Sequence, residues 1–112
     1  MASIFTQIIR REIPSRIFHE TAEVIVIADI FPKAPLHLLI IPKEESTNFY
    51  GTKEETLAIL DRTVKIVAEK LGITDHFRIQ INNGLGQEVP HLHYHFMSNR
   101  GLDKLKYIEI VK

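Results

Sequence analysis

The 112-residue chain has no cysteine. That excludes a disulfide framework and any thiolate-held metal, and it is compatible with a reduced, intracellular setting. There is no charge imbalance either: 14 basic residues stand against 14 acidic ones, a formal net charge of zero. A binder of polymeric nucleic acid or of an acidic membrane carries a basic excess on at least one face. The Arg10-Arg11 pair alone does not supply one. A small anionic ligand, which needs only a few placed donors, stays open. No apolar run is long enough to cross a bilayer, and Met1–Arg11 lacks the apolar core of a signal peptide. Long Pro/Gly/Ser tracts and internal repeats are absent too. The expectation is one domain over residues 1–112, cytoplasmic, of ordinary globular composition: 45% hydrophobic and 25% charged.

Ser3 to Glu12 reads as a short helix. Ser3 can cap it, Ile4, Phe5, Ile8 and Ile9 form one apolar stripe, and Pro14 ends it. Arg16–His19 and Val24–Ile30 read as strands joined by a tight turn at Glu20-Thr21-Ala22. The run from Glu23 to Ala28 is β-branched and apolar, the pattern of a strand covered on both faces. Pro32 and Pro35 bracket a loop, and His37–Ile41 is the next strand, stopped by Pro42. Thr52–Leu71 is the one long helix, with Thr52 and Glu55 at capping-box spacing and Gly72 closing it. Leu57, Leu60, Val64, Val67, Ala68 and Leu71 fall on its core face. Ile59 and Ile66 fall nearly opposite and argue modestly for a dimer contact. Phe77–Ile81 alternates as a strand, Asn82–Gly86 is a turn, and His91–Met97 is the last core strand. In the tail 99–112, Tyr107–Val111 could add an edge strand. The fold class is therefore α+β: a mainly antiparallel five-stranded sheet with one long and one short helix, a helix packed on one face.

The chemistry is concentrated in Gly86–Met97. Side chains alternate along a strand, so His91, His93 and His95 are expected on one face and Leu92, Tyr94 and Phe96 on the other, in the core. The row would span roughly 13 Å. Burying three ionisable rings side by side is costly, so packing alone explains it poorly. Imidazole is a nucleophile, a proton carrier and a metal ligand. Gly84-Leu85-Gly86 can bring backbone N–H groups to an anion, and Asn82 and Gln87 add neutral polar groups for phosphate oxygens or a leaving group. Together these suit transfer at phosphorus. The competing readings are a metal site on the His-X-His spacing, with Glu88 or His37 coming near, and a plain structural row.

At these residues the chain resembles the histidine-triad (HIT) family, whose signature alternates three histidines with apolar residues. Here it is His91-Leu92-His93-Tyr94-His95-Phe96-Met97. Ile4-Phe5 through Ile8-Ile9 to Glu12-Ile13-Pro14, and Ala28-Asp29-Ile30 through His37 to Ile41-Pro42-Lys43, resemble the Hint branch of that family. The likeness runs over about residues 3 to 98. It implies a homodimer whose two sheets join into one, and hydrolysis of purine nucleoside 5′-phosphoramidates and related nucleotidyl bonds with no cofactor required. Carried over by position, it makes His93 the nucleophile on the α-phosphorus. His91 and His95 would orient it and bind phosphate or the leaving group, and His37 would support the triad from a neighbouring strand. Asn82 would contact the phosphate side, Asp29 the ribose hydroxyls, and Ile4, Phe5, Ile13 and Ile27 the base. Without the resemblance, the four apolar residues read as plain core and Asp29 as a turn carboxylate.

Three departures bear on specificity. Glu88 stands where the Hint pattern has a small hydroxyl residue beside the leaving group. The Asn83–Gly86 loop is short, and Gly101–Lys112 lacks the Trp-Pro-Pro-Gly ending of many Hint proteins. Three other functions stay open beside phosphoramidate hydrolysis: a dinucleoside polyphosphate hydrolase of the Fhit kind, a nucleotide-binding regulator acting through a protein partner, and a zinc-binding protein.

Overall fold

The computed structural model of the chain describes residues 2–103 and the backbone of 109–111. The elements run α1 (Ile4–Ile9), β1 (Ser15–Glu20), β2 (Val24–Ala28), β3 (Leu36–Pro42), α2 (Glu54–Leu71), β4 (Arg78–Ile81), β5 (Tyr94–Ser98) and β6 (Glu109–Val111). All six strands join one antiparallel sheet in the order β4-β5-β3-β2-β1-β6. The five expected strands are there, with a three-residue sixth on the outer edge of β1. Of the edge strand expected at Tyr107–Val111, Tyr107 and Ile108 lie outside the described residues.

The apolar runs of β2 and β3 dictate the layering. Val24, Val26, Leu36, Leu38 and Ile40 point to one face, where they pack with Leu60, Val67, Ala68 and Leu71 of α2 and with Tyr94 and Phe96 of β5. Ile25, Ile27, Leu39 and Ile41 point to the other, where Phe5 and Ile8 of α1 cover them. A helix therefore lies on each face, not on one. Neither face of these two strands could be left to water, because burying each Ile or Leu contributes roughly 1.5–3 kcal/mol.

Three local expectations need correction. The short helix stops at Ile9, not near Pro14, because Arg11 takes a left-handed conformation with φ 62°. The long helix is capped at Lys53 and not at Thr52, whose hydroxyl donates instead to the Asn48 carbonyl at 2.6 Å. Ile59, expected to be exposed, is half-buried against the α2-side core, and Ile66 is half-buried as well. The pair offered as a dimer contact is therefore only partly exposed in the single chain. Gly72 closes α2 as read, in the left-handed region at φ 70°. No helix among the described residues is long and apolar enough to cross a membrane.

Candidate active site

Beneath α1, on the face away from α2, the sheet carries a cavity of about 480 Å³. Register decides which side chains reach it. Leu39 pairs with His95, His37 with Met97, and Gln80 with His95, so these alternate residues of β3, β5 and β4 share that face. Ile4, Phe5, Ile13 and Ile27 line its apolar end, where the base was expected. Ile30 and Phe31 add an apolar rim, 75% and 76% exposed.

The histidines are not a simple strand row. β5 begins at Tyr94, so His91 and His93 sit on an irregular approach to it. Continuing the β3–β5 register would set Leu92 against Pro42, which has no N–H to give the ladder. The Leu92 N–H bonds the Ser46 carbonyl instead, at 2.7 Å. The consequence falls on His91. Its ring is only 1% exposed and does not line the cavity. Its Nε2 donates to the Pro42 carbonyl at 2.9 Å and its Nδ1 lies 2.8 Å from the Ser3 hydroxyl. The expectation that His91 faces substrate with the other two is therefore corrected: it is a buried bracket between α1 and β3.

His93 and His95 do line the cavity, their rings 4.9 Å apart. Their proton positions follow from their partners. His93 Nδ1 lies 2.8 Å from the His91 carbonyl oxygen, which can only accept, so the ring proton is on Nδ1 and Nε2 carries a bare lone pair. Phe5 packs edge-on against the same ring at 4.9 Å. Burial pushes the His93 imidazole below its usual pKa, against the opposing pull of its hydrogen bond to the His91 carbonyl and of the Asp29 and Glu88 carboxylates.

His95 has the opposite tautomer. The Lys33 backbone N–H donates to His37 Nδ1 at 3.0 Å, which puts the His37 proton on Nε2. That nitrogen donates to His95 Nδ1 at 2.9 Å, so the His95 proton is on Nε2. Burial, with the His93 and His37 rings beside it, pushes the His95 pKa down to about 4. His37 is lowered too, by burial first, with Asp29 opposing. The cavity is thus lined by three neutral imidazoles: His93 offers a lone pair, His95 an N–H, and His37 has both ring nitrogens engaged, with Lys33 and His95.

Asp29 lies at the end of β2 and lines the cavity. Its Oδ1 accepts from the Phe31 N–H at 2.9 Å, and its Oδ2 is 3.5 Å from His37 Nε2. Ligand atoms of Asp29, His37 and His95 all fall within 4.8 Å of one another, a set that could hold a divalent cation with an open position. A cation there would have to displace the His37–His95 hydrogen bond, which uses two of the nitrogens.

In the loop before the triad, Asn82 and Glu88 line the cavity. Gln87 does not. Its Oε1 accepts from the Gly84 N–H, and its amide donates to the Thr47 and Val89 carbonyls at 2.6 and 3.0 Å. The role expected for it toward phosphate or leaving group is corrected: its polar atoms are spent holding the loop. Of the anion cradle expected at Gly84–Gly86, the N–H groups of Gly84 and Leu85 bond within the turn, whereas Gly86 lines the cavity.

Sequence reading missed Ser3 and Thr6 beside His91, and Lys33, Arg78, Gln80 and Met97 on the cavity wall. Arg78 and Gln80 had a signal: they alternate with the core residues Ile79 and Ile81. Ser3 had none, because nothing local says that a helix cap will meet a histidine 88 positions on.

Known proteins share this architecture. The HIT domain pattern matches residues 10–102. A HIT-like protein of Synechocystis sp. is 43% identical over 103 residues, covering 88% of this chain and 90% of its own. A 14 kDa zinc-binding protein of Brassica juncea is 38% identical over 108 residues, covering 90% of this chain and 96% of its own. An adenylylsulfatase of Arabidopsis thaliana is 38% identical over 108 residues, covering 90% of this chain and 74% of its own. Among solved structures, a HIT family hydrolase from Clostridium thermocellum superposes with a TM-score of 0.81 at 43% identity, over 86% of this chain and 89% of that one. With the domain pattern spanning the triad and strands β1 to β5, the chain belongs to the HIT family.

Proposed function

We propose that the chain is a nucleotidyl hydrolase. It cleaves purine nucleoside 5′-phosphoramidates and related bonds at the α-phosphorus, through a nucleotidyl-histidine intermediate on His93. One observation carries this reading: His93 Nδ1 is committed to a carbonyl, which leaves Nε2 unprotonated in the cavity. The lone pair of Nε2 attacks phosphorus, the P–N bond breaks toward nitrogen, and the amine takes a proton from water. Water then adds to the phosphorus, the bond to Nε2 breaks back to the ring, and the water's proton goes to solvent. Because its pKa is near 4, His95 serves as a neutral N–H donor to a phosphoryl oxygen and not as a proton source. The intermediate makes the His93 ring cationic, so its Nδ1–H bond to the His91 carbonyl becomes charge-assisted. That interaction strengthens as the reaction proceeds, which is what lowers a barrier. His91 acts on this reading through its backbone.

The base lies against Ile4, Phe5, Ile13 and Ile27, the ribose hydroxyls meet Asp29, and Asn82 meets the phosphate side. Glu88 favours an amine leaving group over a polyphosphate by its charge, which argues against the Fhit-like reaction. The Arabidopsis relative's name, adenylylsulfatase, adds adenylyl sulfate as a related nucleotidyl bond to assay. The test is AMP release from adenosine 5′-phosphoramidate, with and without EDTA, by the intact protein and by His93→Ala, beside diadenosine polyphosphate as the rival substrate. Turnover is expected to resist EDTA, to vanish in the variant and to exceed that on the polyphosphate. Undiminished turnover by His93→Ala would sink the reading. Loss with EDTA alone would favour the second reading, a divalent cation on Asp29, His37 and His95, which their spacing and the zinc-binding relative support. Tight AMP binding without any turnover would favour a regulatory role.

A further inference from the structure

The cap of α1 meets His91 outside the lining of the cavity. The Ser3 hydroxyl accepts from the Thr6 N–H at 3.1 Å, as a helix cap does, and also lies 2.8 Å from His91 Nδ1. Since His91 Nε2 donates to Pro42, the neutral ring needs a donor at Nδ1. Two hydroxyls are in range, and their partners choose between them. The Thr6 hydroxyl donates to Glu45 Oε1 at 2.6 Å. The Thr6 hydrogen bond holds the Glu45 carboxyl below the usual carboxylate range, so this acceptor is charged and keeps the Thr6 proton. Thr6 Oγ1 is also the longer contact to the ring, 3.4 Å. The Ser3 proton has two acceptors in range, Thr6 Oγ1 at 3.2 Å and His91 Nδ1 at 2.8 Å, and the nearer, a buried ring nitrogen that needs a donor, takes it.

We infer that Ser3 is a positioning residue for His93: by pinning the His91 ring between α1 and the Pro42 carbonyl, it holds the His91 backbone oxygen where His93 Nδ1–H must meet it. The argument is one of connectivity. His91 is fixed at both ring nitrogens, and the next link is its own carbonyl, 2.8 Å from His93 Nδ1. The segment is outside the sheet ladder, which begins at Tyr94, so that carbonyl is oriented by the bonds of its own ring together with the Leu92 N–H of the same peptide unit, which bonds the Ser46 carbonyl at 2.7 Å. Without the Ser3 proton, Nδ1 of a buried ring is left without its closest donor, and the ring gains by turning. A displaced carbonyl then frees His93 to carry its proton on Nε2, which cannot attack. The same short helix supplies Ile4 and Phe5 to the cavity wall, so one element sets both the apolar wall and the tautomer of the attacking ring.

The inference rests on His93 as nucleophile, and the test separates the two. Ser3→Gly removes the hydroxyl while glycine remains an acceptable cap, so the helix survives. In the full-length protein, ¹⁵N shifts of the His93 ring report its tautomer, calorimetry reports AMP binding, and phosphoramidate turnover reports kcat and KM. Ser3→Gly is expected to convert His93 from one tautomer to a mixture. It should lower kcat about tenfold, the rate equivalent of one lost hydrogen bond, with KM and AMP affinity little changed. Ser3→Thr is expected to restore both. An unchanged His93 spectrum overturns the inference, whatever happens to kcat, and so does a shifted spectrum with unchanged kcat in an active enzyme. If the intact protein hydrolyses nothing, a shifted spectrum in Ser3→Gly upholds the pin and overturns only the proposed reaction.

Discussion

A histidine attacks phosphorus through a ring nitrogen that carries no proton, so in the proposed reaction the acid form of His93 would be inactive. Burial disfavours that form and moves the His93 pKa below its usual value. The sign is then fixed. Free imidazole would lose half its nucleophile at about pH 6.5, whereas His93 stays neutral below that. The acid limb of the kcat/KM pH profile is therefore expected to be centred below about pH 6.5. Steady-state rates, corrected for uncatalysed acid hydrolysis of the P–N bond, check this. A limb centred at or above about 6.5 would show that burial does not hold the ring neutral. At this scale the sequence told residue types and little of their partners. The alternation named His93 and His95 correctly as neighbours on one wall. It could not tell that His91 would turn away, since that depends on Ser3 and Pro42, which are remote in the chain. Gln87 was misread for the same reason: an amide beside a glycine turn looks available until its three backbone partners are known.

At the scale of elements, periodicity was a good guide where both faces of an element are packed and a poor one at its ends. The apolar runs of β2 and β3 announced strands covered on both sides, and their burial is nearly complete. What the pattern did not carry was the identity of the second cover, because a six-residue helix is too short to advertise which sheet face it will take. The start of α2 shows the other failure. Thr52-Lys53-Glu54-Glu55 has the spacing of a capping box, yet the Thr52 hydroxyl is claimed by the Asn48 carbonyl. The cap falls to Lys53, in the extended conformation a cap needs (φ −67°, ψ 151°) but with no side-chain acceptor. A better residue at that position should therefore help. Lys53→Ser gains a cap bond worth about 1 kcal/mol. It loses only the exposed Lys53–Glu44 pair, itself worth roughly 0–1 kcal/mol. A net gain of about 0.5 kcal/mol is expected in urea unfolding. A midpoint that stays or falls would mean that the lysine contributes more than its exposure suggests.

The whole sheet has two edges, and they are not equivalent. One is the three-residue β6, which pairs only with β1, and the other is β4, which pairs only with β5, among the described residues. A row of unsatisfied backbone groups on β4 is an invitation to another strand. Its four residues carry Arg78 and Gln80 toward the cavity, and Phe77, just before the strand, stacks on Phe96 at 4.8 Å while remaining 37% exposed. The homodimer that the family resemblance implies, two sheets joined into one, needs a free edge of this kind. We therefore propose that two copies join through β4, a docking independent of Ile59 and Ile66. Sedimentation equilibrium at micromolar concentration is expected to return twice the chain mass. Hydrogen exchange is expected to find the outward amides of β4 protected, as they would not be at an open edge. A monomer with fast-exchanging β4 amides would refute the joined sheet. A dimer with the same fast amides would keep the association but move it to another surface. The β4 arrangement has a functional corollary, since Gln80 pairs with His95 across the ladder. Joining at β4 would steady the strand that backs His95, and turnover per chain should then fall on dilution in step with the loss of dimer.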